Sequence, residues 1–160
     1  GRSRRQRQMC IRDSRCPMST PAAVLIAVTF LWLGMVIAIS FIEAPLKFRA
    51  PGVTIPIGLG IGRLVFRALN TVEAICAIVV VAAVVAGSWA GAAVPVTAGV
   101  AVIALVVQLV GVRPMLTRRS DQVLAGHEGP RSRTHFVYVG LELVKVIALV
   151  WLGVAALAGS

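Results

Sequence analysis

With 160 residues the chain has room for one domain. At 58% hydrophobic against 14% charged residues it is too apolar for an ordinary soluble one. Its net charge of +10 would suggest nucleic acid in a soluble protein, but this apolar background sets that partner aside.

Residues 1–17, GRSRRQRQMCIRDSRCP, hold six Arg and one Asp. The portion QRQMCIRDS resembles a translated sequencing-library adapter, so the native start is expected at Met18, from which the net charge is +5. On that reading Cys10 and Cys16 carry no meaning, and Cys76 remains alone inside an apolar run. No disulfide framework, CxxC pair or metal pattern follows. The two histidines, His127 and His135, do not make a haem or copper site, and no cofactor or metal is expected.

Four apolar stretches follow in chain order: 22–42 (AAVLIAVTFLWLGMVIAISFI), 68–88, 92–112 and 136–158. Each is close to the roughly 20 residues that cross a hydrocarbon core as a helix. They are too long for barrel strands and do not alternate polar with apolar residues. The first is too long for a signal-peptide core and lacks a small-x-small cleavage site after it, so it reads as a retained span. The expected fold is an all-α, four-helix transmembrane bundle.

The connection after the first span carries Lys47, Arg49, Arg63 and Arg67 against Glu43. The connection after the third carries Arg113, Arg118, Arg119, Arg131 and Arg133 against Asp121 and Glu128, while GSWAGAA between spans two and three is uncharged. The positive-inside rule then predicts an inner-membrane protein with both basic connections in the cytoplasm and both termini outside. Trp89 suits the outer interface.

The Gly-rich segment RAPGVTIPIGLGIGR, Arg49 to Arg63, has neither the spacing of a dinucleotide fingerprint nor the ending of a phosphate loop. Lacking charge between Pro51 and Gly62, it is expected to be interfacial or shallowly re-entrant, with helix two starting near Ile61. Arg63 and Arg67 would then reach lipid phosphates.

PLKFR (Pro45–Arg49) matches PMLTR (Pro114–Arg118) at an offset of 69, which also takes Glu73 onto Glu142 and Gly60 onto Gly129. Two related helical hairpins in the same orientation are one reading of this echo. Small residues recur every four positions at Ala83, Gly87 and Gly91, and at Ala93, Thr97 and Ala101, and Gly34 pairs with Ala38. Such rows favour close packing within a bundle or between copies, and a homo-oligomer in the lipid bilayer is expected.

Charges inside spans are costly and face the bundle interior. On a helical span four, His135, Tyr138, Glu142 and Lys145 fall on one stripe. On span two, Phe66, Asn70, Glu73 and Ala77 share a face, and Gln108 can join from span three. The predicted polar site is Asn70, Glu73, Gln108, Tyr138, Glu142 and Lys145. One reading is a structural ion pair, Glu142 with Lys145, or Glu73 with Lys145 or Arg67. The other is a small-molecule or proton site of a transport-related protein, in which two carboxylates at one depth compete for charge. A passive scaffold or partner subunit is a third class.

Two resemblances add to this. EAPLKFRAPG and RLVFRALNTVE, through Ala44, Pro45, Phe48, Arg49, Phe66, Leu69 and Asn70, resemble a family of small four-span bacterial membrane proteins with an APxxFR motif and no assigned reaction. That resemblance implies fold and location alone. FRALNTVE also resembles the second-helix signature of the MAPEG family of membrane-associated glutathione and eicosanoid enzymes. It implies a trimer in which Arg67 and Asn70 grip carboxylates of glutathione and Glu73 takes its ammonium. The chain departs from that pattern: Arg67 stands three rather than four residues before Asn70, and its one tyrosine, Tyr138, lies on span four rather than three. Arg113 and Arg118 are then the arginines available to activate a thiol.

Overall fold

The computed structural model describes residues 18–115, 118 and 133–159. The expected leader, Arg119, Asp121, His127, Glu128, Gly129 and Arg131, and the side chains of Arg133 and His135, lie outside the described residues.

Helix α1 spans Thr20–Val36, with Pro21 in its first turn, where a fixed φ and a missing N–H cost nothing. It continues through a wide π-helical turn, Ile37–Glu43, a short α-helical piece, Ala44–Leu46, and a 3-10 turn, Lys47–Arg49. A tight connection holding Gly52 at φ 80° leads into α2, Ile55–Ala86. A second turn with Gly91 at φ 94° leads to α3, Ala93–Val107, which widens into another π-helical turn at Gln108–Val112. Helix α4 spans Arg133–Ala158.

The two wide turns share a cause. Pro45 and Pro114 each lack the N–H that would bond four residues back, and each ring crowds that carbonyl. The residue before each proline bonds five residues back instead: Ala44 N–H to the Ile39 carbonyl, and Arg113 N–H to the Gln108 carbonyl. These bonds are themselves 69 residues apart, so the offset seen in the side chains extends to the backbone.

The Gly-rich segment departs from expectation. It is neither re-entrant nor a loop beyond Thr54: α2 starts at Ile55, with Pro56 in its first turn, and runs 32 residues. Arg63 and Arg67 stand on this helix, as a start near Ile61 already required, and the helix begins six residues earlier than expected. The physical reason is packing. A Cβ at Gly58 would run into the Phe48 ring, and one at Gly62 would stand 2.8 Å from Lys47 Nζ. The two glycines, one helical turn apart, let the end of helix one fold back against α2, and this contact outweighs their poor helix propensity. At about 48 Å, α2 also exceeds the roughly 30 Å hydrocarbon thickness, so one end stands outside it.

Around the bundle, α1 packs on α2 and α4, and α3 packs on α4 and α2, which leaves α2 and α4 facing each other across the diagonal. The apolar core joins Leu25, Trp32 and Val36 to Val80, Ala101 and Leu105, and to Leu149 and Leu152. Of the small-residue rows, Ala83 and Ala101 are buried in this core. The row through Gly87 and Gly91 stops because α2 ends at Ala86, and among the described residues nothing lies within 4 Å of a Cβ at Gly34. Trp89 folds back at the uncharged end, its indole N–H donating to the Val84 carbonyl at 2.8 Å.

The outer surface is apolar. Ile78, Val85 and Val110 are at least 70% exposed, while Glu73, Glu142 and Lys145 are at most 1% exposed. This inverts the soluble arrangement, in which charges are almost never fully buried. Among the described residues, four helices are long and apolar enough to cross a membrane: Thr20–Arg49, Ile55–Ala86, Ala93–Met115 and Phe136–Ala158. The chain is an all-α, four-helix, multi-pass membrane protein.

Candidate functional site

Lys145 lies on the inward stripe of α4, fully buried. Its ammonium meets the Glu73 carboxylate of α2 at 2.5 Å, across the bundle diagonal. It donates to Gln108 Oε1, at the start of the α3 wide turn, at 2.8 Å. The Glu142 carboxylate, one turn back on α4, lies 3.2 Å away. Of the ammonium's three N–H donors, those toward Glu73 and Gln108 have partners at hydrogen-bond distance, while Glu142 adds an ion pair without a hydrogen bond. Helix α1 completes the cluster: the Trp32 indole N–H donates to Glu73 Oε1 at 2.9 Å. All four helices thus contribute one polar group or more to a single buried site.

Both structural pairings expected for Lys145 are present at once. Arg67, the other cation considered for Glu73, is exposed on the outside of α2. The spacing of three from Glu142 to Lys145 is what an α-helix needs to put both on one face. Trp32 was not among the expected site residues. The signal for it was position: Trp favours membrane interfaces, so one in the middle of an uncharged span needs a buried acceptor for its N–H.

The expected site divides in two. Glu73, Gln108, Glu142 and Lys145 form the ionic cluster. Asn70 and Tyr138, both buried, instead line a cleft of about 500 Å³ that Glu142 also borders. Tyr138 touches the cluster through its hydroxyl, beside the Glu142 carboxylate, and through its carbonyl, which accepts a long 3.5 Å hydrogen bond from Gln108 Nε2. Its ring meets Phe66 edge-on at 5.8 Å. The side chain of His135 lies outside the described residues, so the stripe on α4 is followed from Tyr138 onward.

The cleft runs between the end of helix one, the first half of α2 and the start of α4. Its walls include Phe41, Phe48, Phe66 and Val139, and four cations border it: Lys47, Arg63, Arg67 and Arg113. Lys47 is held by Glu43, one turn back, at 3.5 Å, and its ammonium sits 5.3 Å from the Phe66 ring centre. A second, more open cleft adds Arg118 and shares Arg67 and Arg113 with the first. Arg49 is exposed at the end of the 3-10 turn. Of the residues named by the MAPEG resemblance, Arg67 and Asn70 line the cleft, whereas Glu73 points into the bundle and holds Lys145 rather than an open position.

Two carboxylates and one ammonium leave the cluster one negative charge in excess when all are ionised. Among the described residues, Glu73 Oε2 and both Glu142 oxygens are buried with no hydrogen-bond partner, the Glu142 contact with Lys145 being an ion pair only. In a low-dielectric interior such an unfinished network is costly. It can accept one more positive charge or proton, and Glu142 gives it a wall in common with the cleft. Compared with known proteins, the chain matches no family model, no curated protein and no solved structure.

Proposed function

We propose that this membrane protein binds and exchanges a proton, or a small molecule that carries one, at the Glu73–Lys145–Glu142 cluster, as a transport-related bundle. The observation that supports this is one buried ammonium shared by two buried carboxylates, with one Glu73 oxygen and both Glu142 oxygens lacking a hydrogen bond among the described residues. A purely structural ion network gains from being complete, since buried polar groups without partners are destabilising. This one retains acceptor capacity beside a cleft. A proton taken up by either carboxylate makes the cluster neutral, and Glu142, on the cleft wall, is the point of exchange.

The test is proton flux into liposomes that hold the purified protein and a pH-sensitive dye, driven by an imposed membrane potential. Flux above that of empty vesicles is expected for the unmodified chain, and a return to the empty-vesicle rate for Glu142→Gln. Glu73→Gln is expected to lower flux and to change stability as well, because it alters the diagonal contact. If both variants leave flux, stability and assembly as they were, the reading is wrong.

A further inference from the structure

The first cleft is amphipathic in a directed way. Its aromatic walls are Phe41, Phe48 and Phe66, of which residues Phe41 and Phe48 are 39% and 47% exposed on the bundle surface. Its cationic border comes from three helices: Lys47 after α1, Arg63 and Arg67 on α2, and Arg113 after α3. The floor offers hydrogen-bonding groups, the Asn70 amide and the Tyr138 hydroxyl, the latter buried beside the Glu142 carboxylate. A free small anion needs the cations but not the exposed aromatic rim. An uncharged apolar molecule needs the rim but not the cations. An anionic lipid needs both.

We propose that this cleft is the binding site for one anionic phospholipid, its phosphate held at Arg67 and Arg113 and its upper acyl chain lying over Phe41 and Phe48. Arg67 and Arg113 also border the second cleft, so a phosphate between them faces Arg118 as well. The polar floor then meets the lipid's ester and hydroxyl groups rather than its charge. Charge complementarity argues for this occupant: basic side chains at a membrane surface attract anionic headgroups individually, and a groove of this volume is in the range that encloses a ligand. Gly58 and Gly62 have a part here too. By letting Phe48 and Lys47 lie against α2, they build the wall that makes this a cleft and not a flat surface. The proposal does not rest on the proton-exchange reading.

The experiment is native mass spectrometry of the full chain in detergent, with phosphatidylglycerol, with phosphatidylcholine of the same chains, and with inorganic phosphate. Retention of one phosphatidylglycerol, and not of phosphatidylcholine, is expected. Arg67→Gln, at an exposed position, is expected to weaken that retention about fivefold, the weight of one basic side chain at an anionic surface. Ala44→Trp fills the cleft without changing its charge, and is expected to abolish retention. Equal binding of both lipids overturns the proposal. So does unchanged phosphatidylglycerol binding in Ala44→Trp, which marks a lipid held on the basic collar outside the cleft. Displacement of phosphatidylglycerol by millimolar inorganic phosphate also overturns it, because the site is then one for a free anion. Melting curves of both variants show that a lost adduct is not a lost fold.

Discussion

Lys145 is the residue on which the polar interior turns. Lys145→Met keeps the stem's length and apolar contacts but leaves Glu73 and Glu142 facing each other without a cation. Removing one partner of a buried pair is expected to cost about 3–5 kcal/mol, visible as a lower melting temperature in detergent. Adding Glu73→Gln to Lys145→Met is expected to recover part of that loss, since it removes one of the two stranded charges and their mutual repulsion. A double variant as unstable as the single one would mean that packing, not charge, sets the stability of the site. At this scale the sequence was legible where contacts are local. Glu142 and Lys145 lie three apart on one helix, so their meeting follows from helix geometry. Glu73 and Gln108 were nominated because charge and amide groups inside spans must face inward, but their shared partner depends on how four helices close into a ring. Trp32 could be read as needing an acceptor, but which one was illegible for the same reason: it lies 41 residues further along, on another helix.

Elements were legible in number and approximate position, and less so at their ends. The apolar runs marked four helices because every backbone polar group in a bilayer needs an internal partner. The start of α2 was expected near Ile61 rather than at Ile55, because glycine weakens a helix locally and the compensating contact with Phe48 and Lys47 is tertiary. That account separates two glycines on the same helix. Gly58→Leu is expected to destabilise the protein by about 1–3 kcal/mol, since the side chain has to displace Phe48. Gly60→Ala, with nothing within 4 Å of its Cβ, is expected to be neutral or to stabilise by about 0.5–1 kcal/mol through helix propensity. Thermal melting of the two variants, compared with the parent, checks the pair. The wide turns before Pro45 and Pro114 had only the prolines as a signal. The sequence announces that the helix is disturbed there, but the choice of a five-residue bond over a break is made by the surroundings.

The whole molecule buries Glu73, Glu142 and Lys145 beside an apolar core and turns a largely apolar surface outward, and this apolar surface was the part most readable from composition. Its orientation is expected from charge. The turn between α2 and α3 is uncharged, whereas Arg63, Arg67, Arg113 and Arg118 gather at the other end. In cells expressing a chain with Cys10 and Cys16 replaced by Ser, Ala90→Cys is expected to react with a membrane-impermeant maleimide, and Val53→Cys only after lysis. Cys76, buried in α2, is expected to stay silent in both. The reverse labelling pattern would turn the protein over in the membrane and move the cleft to the outer leaflet.

The diagonal contact also has a consequence for how the protein is made. Glu73 leaves the ribosome long before Lys145, and until α4 arrives its nearest available donor is the indole of Trp32. The first hairpin therefore enters the bilayer with an acid whose counter-charge has not yet been synthesised. Insertion of the last helix is then the step that completes the electrostatics of the second, and a nascent chain stalled before it is an exposed target for membrane quality control.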